Sequence, residues 1–341
     1  MKVLVAMSGG LKSLVTAWLL KKQGMQIRGV YLDLIGQENS QDKVETLERK
    51  LGISIQIIPA QSEFEVEWNA ARQNAIALGE GFDSERFFHQ SFLFPKLMEL
   101  RDQYQFSKIS TGHRALVQED QVSKVYRVFQ NADGNLKESL FLLGRRQADL
   151  ASLLLPLGSI PSSMFLKLSK ELDMGKSGES TSTWSNAYSL PRTDSKSNYE
   201  VISTSGTKLG TYASLERPEP GMLYIPPENP ENRYRVVEIS PEKSHLIVNF
   251  ESNIEYKEVQ FYDVNWFSRE DLGLKPLTCG MMGPSNVKPV PIRLLQYEGG
   301  RIRGFLNHSF RGEEANIFRG QTVLWVEGTE ILGGGRVLRT R

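Results

Sequence analysis

The chain of 341 residues has little cysteine: one thiol, Cys279. A single thiol builds neither a disulfide framework nor a cysteine-based metal site, and such usage fits a reducing compartment. There are four histidines, without metal-ligand spacing. No apolar run approaches the roughly 20 residues of a membrane span, so no membrane partner is expected. Val3 to Met7 lead directly into a glycine turn, without the basic flank or cleavage site of a signal peptide. A cytoplasmic protein is the expectation. Net charge is lacking too, since 41 Lys and Arg face 40 Asp and Glu. Global charge therefore argues neither for nor against nucleic acid, and any RNA-binding face has to be a local patch.

What is present is the length and apolar content for two or three globular domains. The first part alternates between two periodicities. KVLVAM, IRGVYLDL, ISIQIIPA and KISTGH are short apolar runs suited to buried parallel strands. Between them, LVTAWLLKKQG and DKVETLERKLG carry helical spacing and end in glycine, and FFHQSFLFPKLMELRDQY is expected to be helical around Pro95. This alternation implies a doubly wound parallel sheet, with ligands at the carboxyl ends of its strands. QADLASLLLPLGSIPSSMFLKLSKELDMG predicts two short helices around a proline turn, and GKSGESTSTWSNAYSLPRTDSKSN a mobile loop. Beyond about residue 200, YRVVEIS, SHLIVNF, EVQFYDVNWF, VPIRLLQY and RIRGFL read as strands of small barrels or sandwiches. QTVLWV and EILGGGRVL, split by EGT, read as a hairpin.

Ser8, Gly9, Gly10, Lys12 and Ser13 sit between the first strand and the first helix. The glycines allow a sharp turn that brings backbone N–H groups towards one point, and the helix adds its positive dipole end. Two serine hydroxyls flank the turn as donors. An ordinary strand-to-helix turn is the alternative, but the first strand of a doubly wound pattern favours a phosphate ligand.

AMSGGLKS resembles the SGGxDS loop of the PP-loop ATP pyrophosphatases; a Walker loop needs a different spacing. Within that superfamily the chain is similar to the bacterial tRNA-specific 2-thiouridylases, the MnmA family. IRGVYLDL, ISTGHRALV, KESLFLLGRRQADLASLLLPLGSIPSS, GTKLGTYAS, YRVVEISPEKSHLIV and GQTVLWVEGTEILGGGRV carry the resemblance along nearly the full length. It implies α/β plus β: a PP-loop/HUP-like domain over 1–145, a small central domain over 146–210 and a C-terminal β-barrel region over 211–341. It further implies ATP-dependent thiolation of a tRNA wobble uridine. The nucleotide site implied comprises Ala6, Met7, Ser8, Gly9, Gly10, Lys12, Ser13, Gly112 and His113.

Three groups that the family's chemistry uses are missing. The loop aspartate is Lys12, and the two sulfur-handling cysteines fall on Phe88 and on approximately Thr183. Thiolate is the competent species for persulfide chemistry, so neither side chain replaces it. No catalytic residue is assigned. Cysteine-dependent thiolation is expected to be absent, leaving a tRNA- or nucleotide-binding paralogue, with ATP or AMP as cofactor and magnesium disfavoured. Lys12 either takes over part of the role of magnesium or points to solvent over a vestigial site. One alternative is an enzyme of altered chemistry that adenylylates uridine and takes sulfur or another nucleophile from a partner. Another is an interaction module for a true thiouridylase or a sulfur-relay protein.

Of the other candidates, His113 ends a predicted strand and fits a phosphate donor or a structural histidine. His89 with Asp83, Glu85 and Arg86 suggests an acid–base cluster, though a structural role is favoured. His245 and His308 read as barrel residues, and Cys279 as a small buried residue. Residues 285–341 carry nine Lys and Arg against five Glu. Arg145, Arg146, Arg311, Arg336 and Arg339 are the candidate contacts to tRNA phosphates, with a solvated charged face as the alternative.

Overall fold

The computed structural model describes residues 1–36, 40–172, 197–214, 217–283, 288–297, 301–311 and 317–341. The serine-rich stretch expected to be a loop, with Thr183 inside it, lies outside these residues, apart from its last positions. The chain divides into two compact units. The first comprises Met1–Asn69, Ser84–Ser189 and Thr329–Ile331; the second comprises Ala70–Asp83, Leu190–Gly328 and Leu332–Arg341.

In the first unit the apolar runs become strands β1 (Lys2–Ala6), β2 (Gln26–Asp33), β3 (Ile55–Pro59) and β4 (Lys108–Ser110). Helices α1 (Leu11–Lys22) and α2 (Ser40–Leu51) follow β1 and β2. Lys21 at the end of α1 donates to the carbonyls of Leu51 and Gly52, which closes the last turn of α2. Helix α3 (Gln61–Ala77) follows β3. Next come a three-residue helix α4 (Ser84–Arg86), a π-helical stretch Phe87–Leu93 and α5 (Phe94–Gln103). The FFHQSFLFPKLMELRDQY stretch is thus helical, as expected. Pro95 lies where the π-helical stretch runs on into α5, and the Gln90 carbonyl, which an N–H at residue 95 would reach in that register, accepts from Arg145 instead.

Strands β5 (Leu116–Glu119) and β6 (Tyr126–Phe129) form an antiparallel pair. Then come α6 (Gln147–Ser152), β7 (Leu153–Leu154), and α7 (Ser162–Glu171) after a short 3₁₀ turn. The two helices are present, but Leu153–Leu154 pairs in parallel with Ile109–Ser110, so the segment is not simply helix–proline–helix. The sheet order is β3-β2-β1-β4-β7, all parallel. Val3, Val5, Met7, Leu14, Ala17 and Leu20 are at the centre of its core.

The order reverses between β1 and β4. In such a sheet the loops leaving these two neighbours diverge and open a crevice at their carboxyl ends. The glycine loop follows β1 and the TGH turn follows β4, so topology alone brings the two motifs face to face.

The second unit holds two sheets. Strands β8 (Ser197–Ser203), β9 (Lys208–Ser214), β10 (Leu223–Tyr224), β11 (Tyr234–Ser240) and β12 (His245–Phe250) run in the order β10-β11-β12-β8-β9. His245 therefore belongs to this sheet and not, as expected, to the barrel. Strands β13 (Glu255–Trp266), β14 (Leu277–Met282), β15 (Val290–Gln296), β16 (Ile302–Arg311), β17 (Thr322–Glu327) and β18 (Glu330–Thr340) are ordered β13-β16-β15-β14-β17-β18. Pairing of β13 with β18 closes these six described strands into a barrel. β17 and β18 form the expected closing hairpin. Inward residues alternate along the strands, as in VPIRLLQ, and Trp325 packs on Phe261 and Trp266 at the centre.

Candidate functional site

The loop geometry starts from Gly9. Its φ of +77° lies in the left-handed region where a side chain would be strained. The turn is closed by its own hydroxyls. Ser13 Oγ donates to the Gly10 carbonyl at 2.8 Å and accepts from the Ser8 amide at 3.3 Å; Ser8 Oγ accepts from the Gly10 amide at 3.2 Å. The first described i→i−4 bond of α1 runs from the Leu14 amide to the Gly10 carbonyl. Amides before it have no intrahelical acceptor, and the first turn carries no acidic residue to offset the dipole.

Across the crevice, the TGH turn packs hard against this helix start. A Cβ on Gly112 would stand 2.8 Å from Lys12 Cβ and 2.9 Å from the Ser13 amide nitrogen. Only glycine permits that approach.

Between the two motifs lies a cavity of about 480 Å³. Ala6, Met7, Ser8, Lys12, Ser13, Gly112 and His113 all line it, while Gly9 and Gly10 form the turn itself. The volume is in the range of small-molecule and cofactor sites. One wall is apolar and comes from the end of β2: Val30, Tyr31, Leu34 and Ile35.

Lys12 does not simply point to solvent. Its Nζ lies 2.5 Å from Glu138 Oε1. The other oxygen of Glu138 accepts from the Arg114 amide at 2.7 Å. Arg114 in turn donates to Asp133, to Ser162 Oγ and to the Ile160 carbonyl. The lysine is thereby tied to the segment that follows the TGH turn.

His113 is buried. Thr111 Oγ1 lies 2.6 Å from its Nδ1, and His89 Nδ1 lies 3.1 Å from its Nε2. Thr111 Oγ1 already accepts from the His113 amide at 3.4 Å. The three groups form one chain, Thr111–His113–His89, in which each neutral ring donates through one nitrogen and accepts through the other. Burial, aided by the Lys12 ammonium, lowers the His113 pKa to about 3. Burial, then His113, holds His89 well below the usual imidazole range. Both rings are neutral donor–acceptors at pH 7. His89 therefore belongs with His113 and with Phe141, whose ring centroid is 4.4 Å away.

Phe88 is buried and edge-on to Phe64 at 5.9 Å. Cys279 is buried in the barrel core on β14, where burial pushes its thiol up to about 12. The basic candidates scatter. Arg145 is half-buried and donates to the Gln90 carbonyl; Arg146 is exposed beside Asp149. Neither lines the cavity. Arg336 Nη2 donates to the buried Glu80 at 2.8 Å, in the second unit. Arg339 is exposed on β18, and the side chain of Arg311 lies outside what the structure describes, as does that of His308.

Sequence reasoning missed Glu138, Arg114, Thr111 and Asn131. Asn131 donates to the Arg114 carbonyl and accepts from the amides of Asp133 and Asn135. Its one readable signal was NADGN, a turn sequence beside the predicted crevice.

A parallel α/β sheet with a serine–glycine loop at its switch point, followed by a mixed β-sheet and a closed barrel, defines a PP-loop-type protein with appended β domains. The family model described as "tRNA methyl transferase HUP domain" matches residues 1–183. The chain belongs to this family and is a tRNA 2-thiouridylase-family, MnmA-type protein. It is 23% identical over 362 residues to the tRNA-specific 2-thiouridylase MnmA of Nostoc punctiforme, covering 98% of both chains. It is 23% identical over 349 residues to that of Campylobacter lari, covering 98% of this chain and 99% of the relative. With the protein of the same name from Synechocystis sp. the identity is 25% over 364 residues, 98% of this chain and 96% of the other.

The donor set at the loop does not fit magnesium. A divalent ion of this kind takes carboxylate and phosphate oxygens. Here residue 12 supplies an ammonium, and the Glu138 carboxylate is engaged by that ammonium and by a backbone amide. Among the described residues no group of three His, Cys, Asp or Glu is placed to hold a metal. Among them, too, no helix is long and apolar enough to cross a membrane.

Proposed function

We propose that this protein binds a nucleotide in the loop cavity without magnesium, binds tRNA, and does not carry out cysteine-dependent thiolation. The carrying observation is the Lys12–Glu138 pair beside the glycine loop. An ammonium meets phosphate directly, whereas a carboxylate at that position needs a cation between them. The α1 N-terminus and Lys12 supply the positive end of the cavity, and Tyr31, Leu34 and Ile35 the apolar wall for a base. A mono- or diphosphate carries little enough charge to be met by one lysine and a helix end, so AMP is favoured over ATP. The absence of thiolation rests on residue chemistry: Phe88 is part of an aromatic core, and Cys279 is a buried, protonated thiol in the barrel.

Calorimetry with AMP and ATP, with and without magnesium, tests the first part. Metal-independent AMP binding is the expected result, and no binding at millimolar nucleotide would sink it. Mass spectrometry of tRNA nucleosides after incubation with a thiol sulfur donor tests the second. The appearance of 2-thiouridine would overturn it.

A second reading, an enzyme of altered chemistry, draws on the neutral His89–His113 pair as a hydrogen-bonding group at the cavity, which His113 lines. With its pKa held to about 3, His113 is a poor base at pH 7, so in this reading the proton goes to the incoming nucleophile or to solvent. Pyrophosphate release from ATP in the presence of tRNA would favour this reading over simple binding.

A further inference from the structure

The barrel carries its own cavity, of about 410 Å³, where β13, β16 and β18 meet. Its origin is a slip in register. Gln260 faces Arg339 and Phe261 faces Val337, so Leu338 has no opposite number on β13. A bulge of this kind bends the strand and re-aims its side chains. Leu338 and the buried Phe261 and Ile302 give the cavity an apolar floor.

Above that floor the residues are of two kinds. Tyr297 is large, aromatic and 40% exposed. The Arg303 guanidinium lies over its ring at 4.3 Å from the centroid. Arg301 is exposed beside them. Register places Arg303, Gln260 and Arg339 in one row across β16, β13 and β18, with neighbouring strands roughly 4.8 Å apart. Among the described residues, the acidic one here is Glu258, whose Oε1 accepts from Gln260 Nε2 at 2.8 Å and lies 3.7 Å from Arg303 Nε. Among them, too, three arginines, Arg301, Arg303 and Arg339, thus share this corner with one carboxylate that is already engaged.

Free phosphate has no use for an exposed ring or an apolar floor, and an acidic peptide needs only the charges. A nucleotide in a single strand uses both, because its base stacks on aromatic or guanidinium planes while the flanking phosphates meet cations. We propose that this bulged corner of the barrel is a base-stacking subsite for single-stranded RNA. Tyr297 and Arg303 form the platform, and Arg301 and Arg339 contact the neighbouring phosphates. The inference rests on the reading of the protein as tRNA-binding.

The test is fluorescence anisotropy with the full-length protein, using a short labelled oligouridylate and total tRNA over a range of salt. Tyr297→Ala weakens oligouridylate binding about tenfold or more at unchanged salt slope, and Tyr297→Phe stays near wild type. Arg301→Ala and Arg339→Ala each lower the slope of log K against log salt by about 0.7, the value for one phosphate of a single strand. If tRNA and oligouridylate bind and no variant changes either, the subsite is overturned and the tRNA reading stands. If oligouridylate behaves as described but wild-type protein ignores tRNA, the subsite stands and the tRNA reading fails. Binding of neither probe overturns both. Equal competition by polyglutamate, with Tyr297→Ala silent, reduces the patch to a charged surface and also overturns the subsite.

Discussion

Lys12 and Glu138, 126 positions apart in the chain, meet at 2.5 Å on the wall of the loop cavity. The pair holds the Lys12 ammonium in place beside the glycine loop. It is partly exposed, with Lys12 at 51% and Glu138 at 24%, so it does little for the fold.

Lys12→Ala is therefore expected to change folding stability by less than about 1 kcal/mol. Its effect falls on ligand: metal-free AMP affinity drops about tenfold, roughly 1.4 kcal/mol. Lys12→Asp places a second carboxylate beside Glu138 and makes any nucleotide binding magnesium-dependent. Calorimetry reads both. A wild-type affinity that rises steeply with magnesium contradicts the assignment.

The His113 pKa gives a pH dependence of defined sign. Its folded value of about 3 lies below the usual imidazole value near 6.5. Between the two, the unfolded chain binds a proton that the native chain does not. Stability is thus complete above about pH 7 and falls as pH drops through 6.5 towards 3, by about 1.4 kcal/mol per pH unit for one such group. His89, lowered in the same direction, adds to the fall. Denaturant midpoints measured between about pH 7 and 5 are expected to decline in the wild type and to flatten in His113→Asn. Equal slopes for the two proteins would refute this.

Gly112→Ala is expected to lose about 1–3 kcal/mol, since its methyl would meet backbone atoms of Lys12 and Ser13 that cannot swing away. Loss of nucleotide binding should accompany it, because the loop is what has to move. Thermal unfolding checks the first effect and calorimetry the second. A stable Gly112→Ala protein with intact binding would show that the turn does not interlock with the loop.

In the second unit, Glu80 is buried at 2% exposure and accepts from Tyr262 Oη at 2.6 Å and Arg336 Nη2 at 2.8 Å, with Arg319 Nε at 3.5 Å. Glu80→Ala leaves these partners uncompensated and is expected to cost about 3–5 kcal/mol, as for a broken buried pair. Urea unfolding followed by tryptophan fluorescence reads it. The same contacts commit Arg336, so Arg336→Ala should weaken the fold more than it weakens any RNA binding.

The strands β1 to β4 were legible because each is a closed apolar run, and the crevice followed from their order. The two residues of β7 were not, because LLLP has no strand-like length and becomes a strand only through its partner Ile109–Ser110. Helix α3 escaped notice for a different reason: only a narrow stripe, Phe64, Trp68 and Ala75, is buried in an otherwise polar stretch. Along the cavity, the loop from Ser8 to Ser13 was readable from local turn chemistry and topology, and Gly112 and His113 from the family resemblance. Glu138 and the pairing of His89 with His113 were not, since each is a contact between segments distant in sequence that no local pattern encodes.

The wedge of Gly112 against the stem of Lys12 has one further consequence. It fixes the Cβ of residue 12 from behind and leaves only the distal half of the side chain free. Such a position works as a socket, in which the fold grips the stem and is indifferent to the tip. The sign of the charge offered to the cavity is then a setting that one codon reverses, without asking the sheet, the turn or the helix to move.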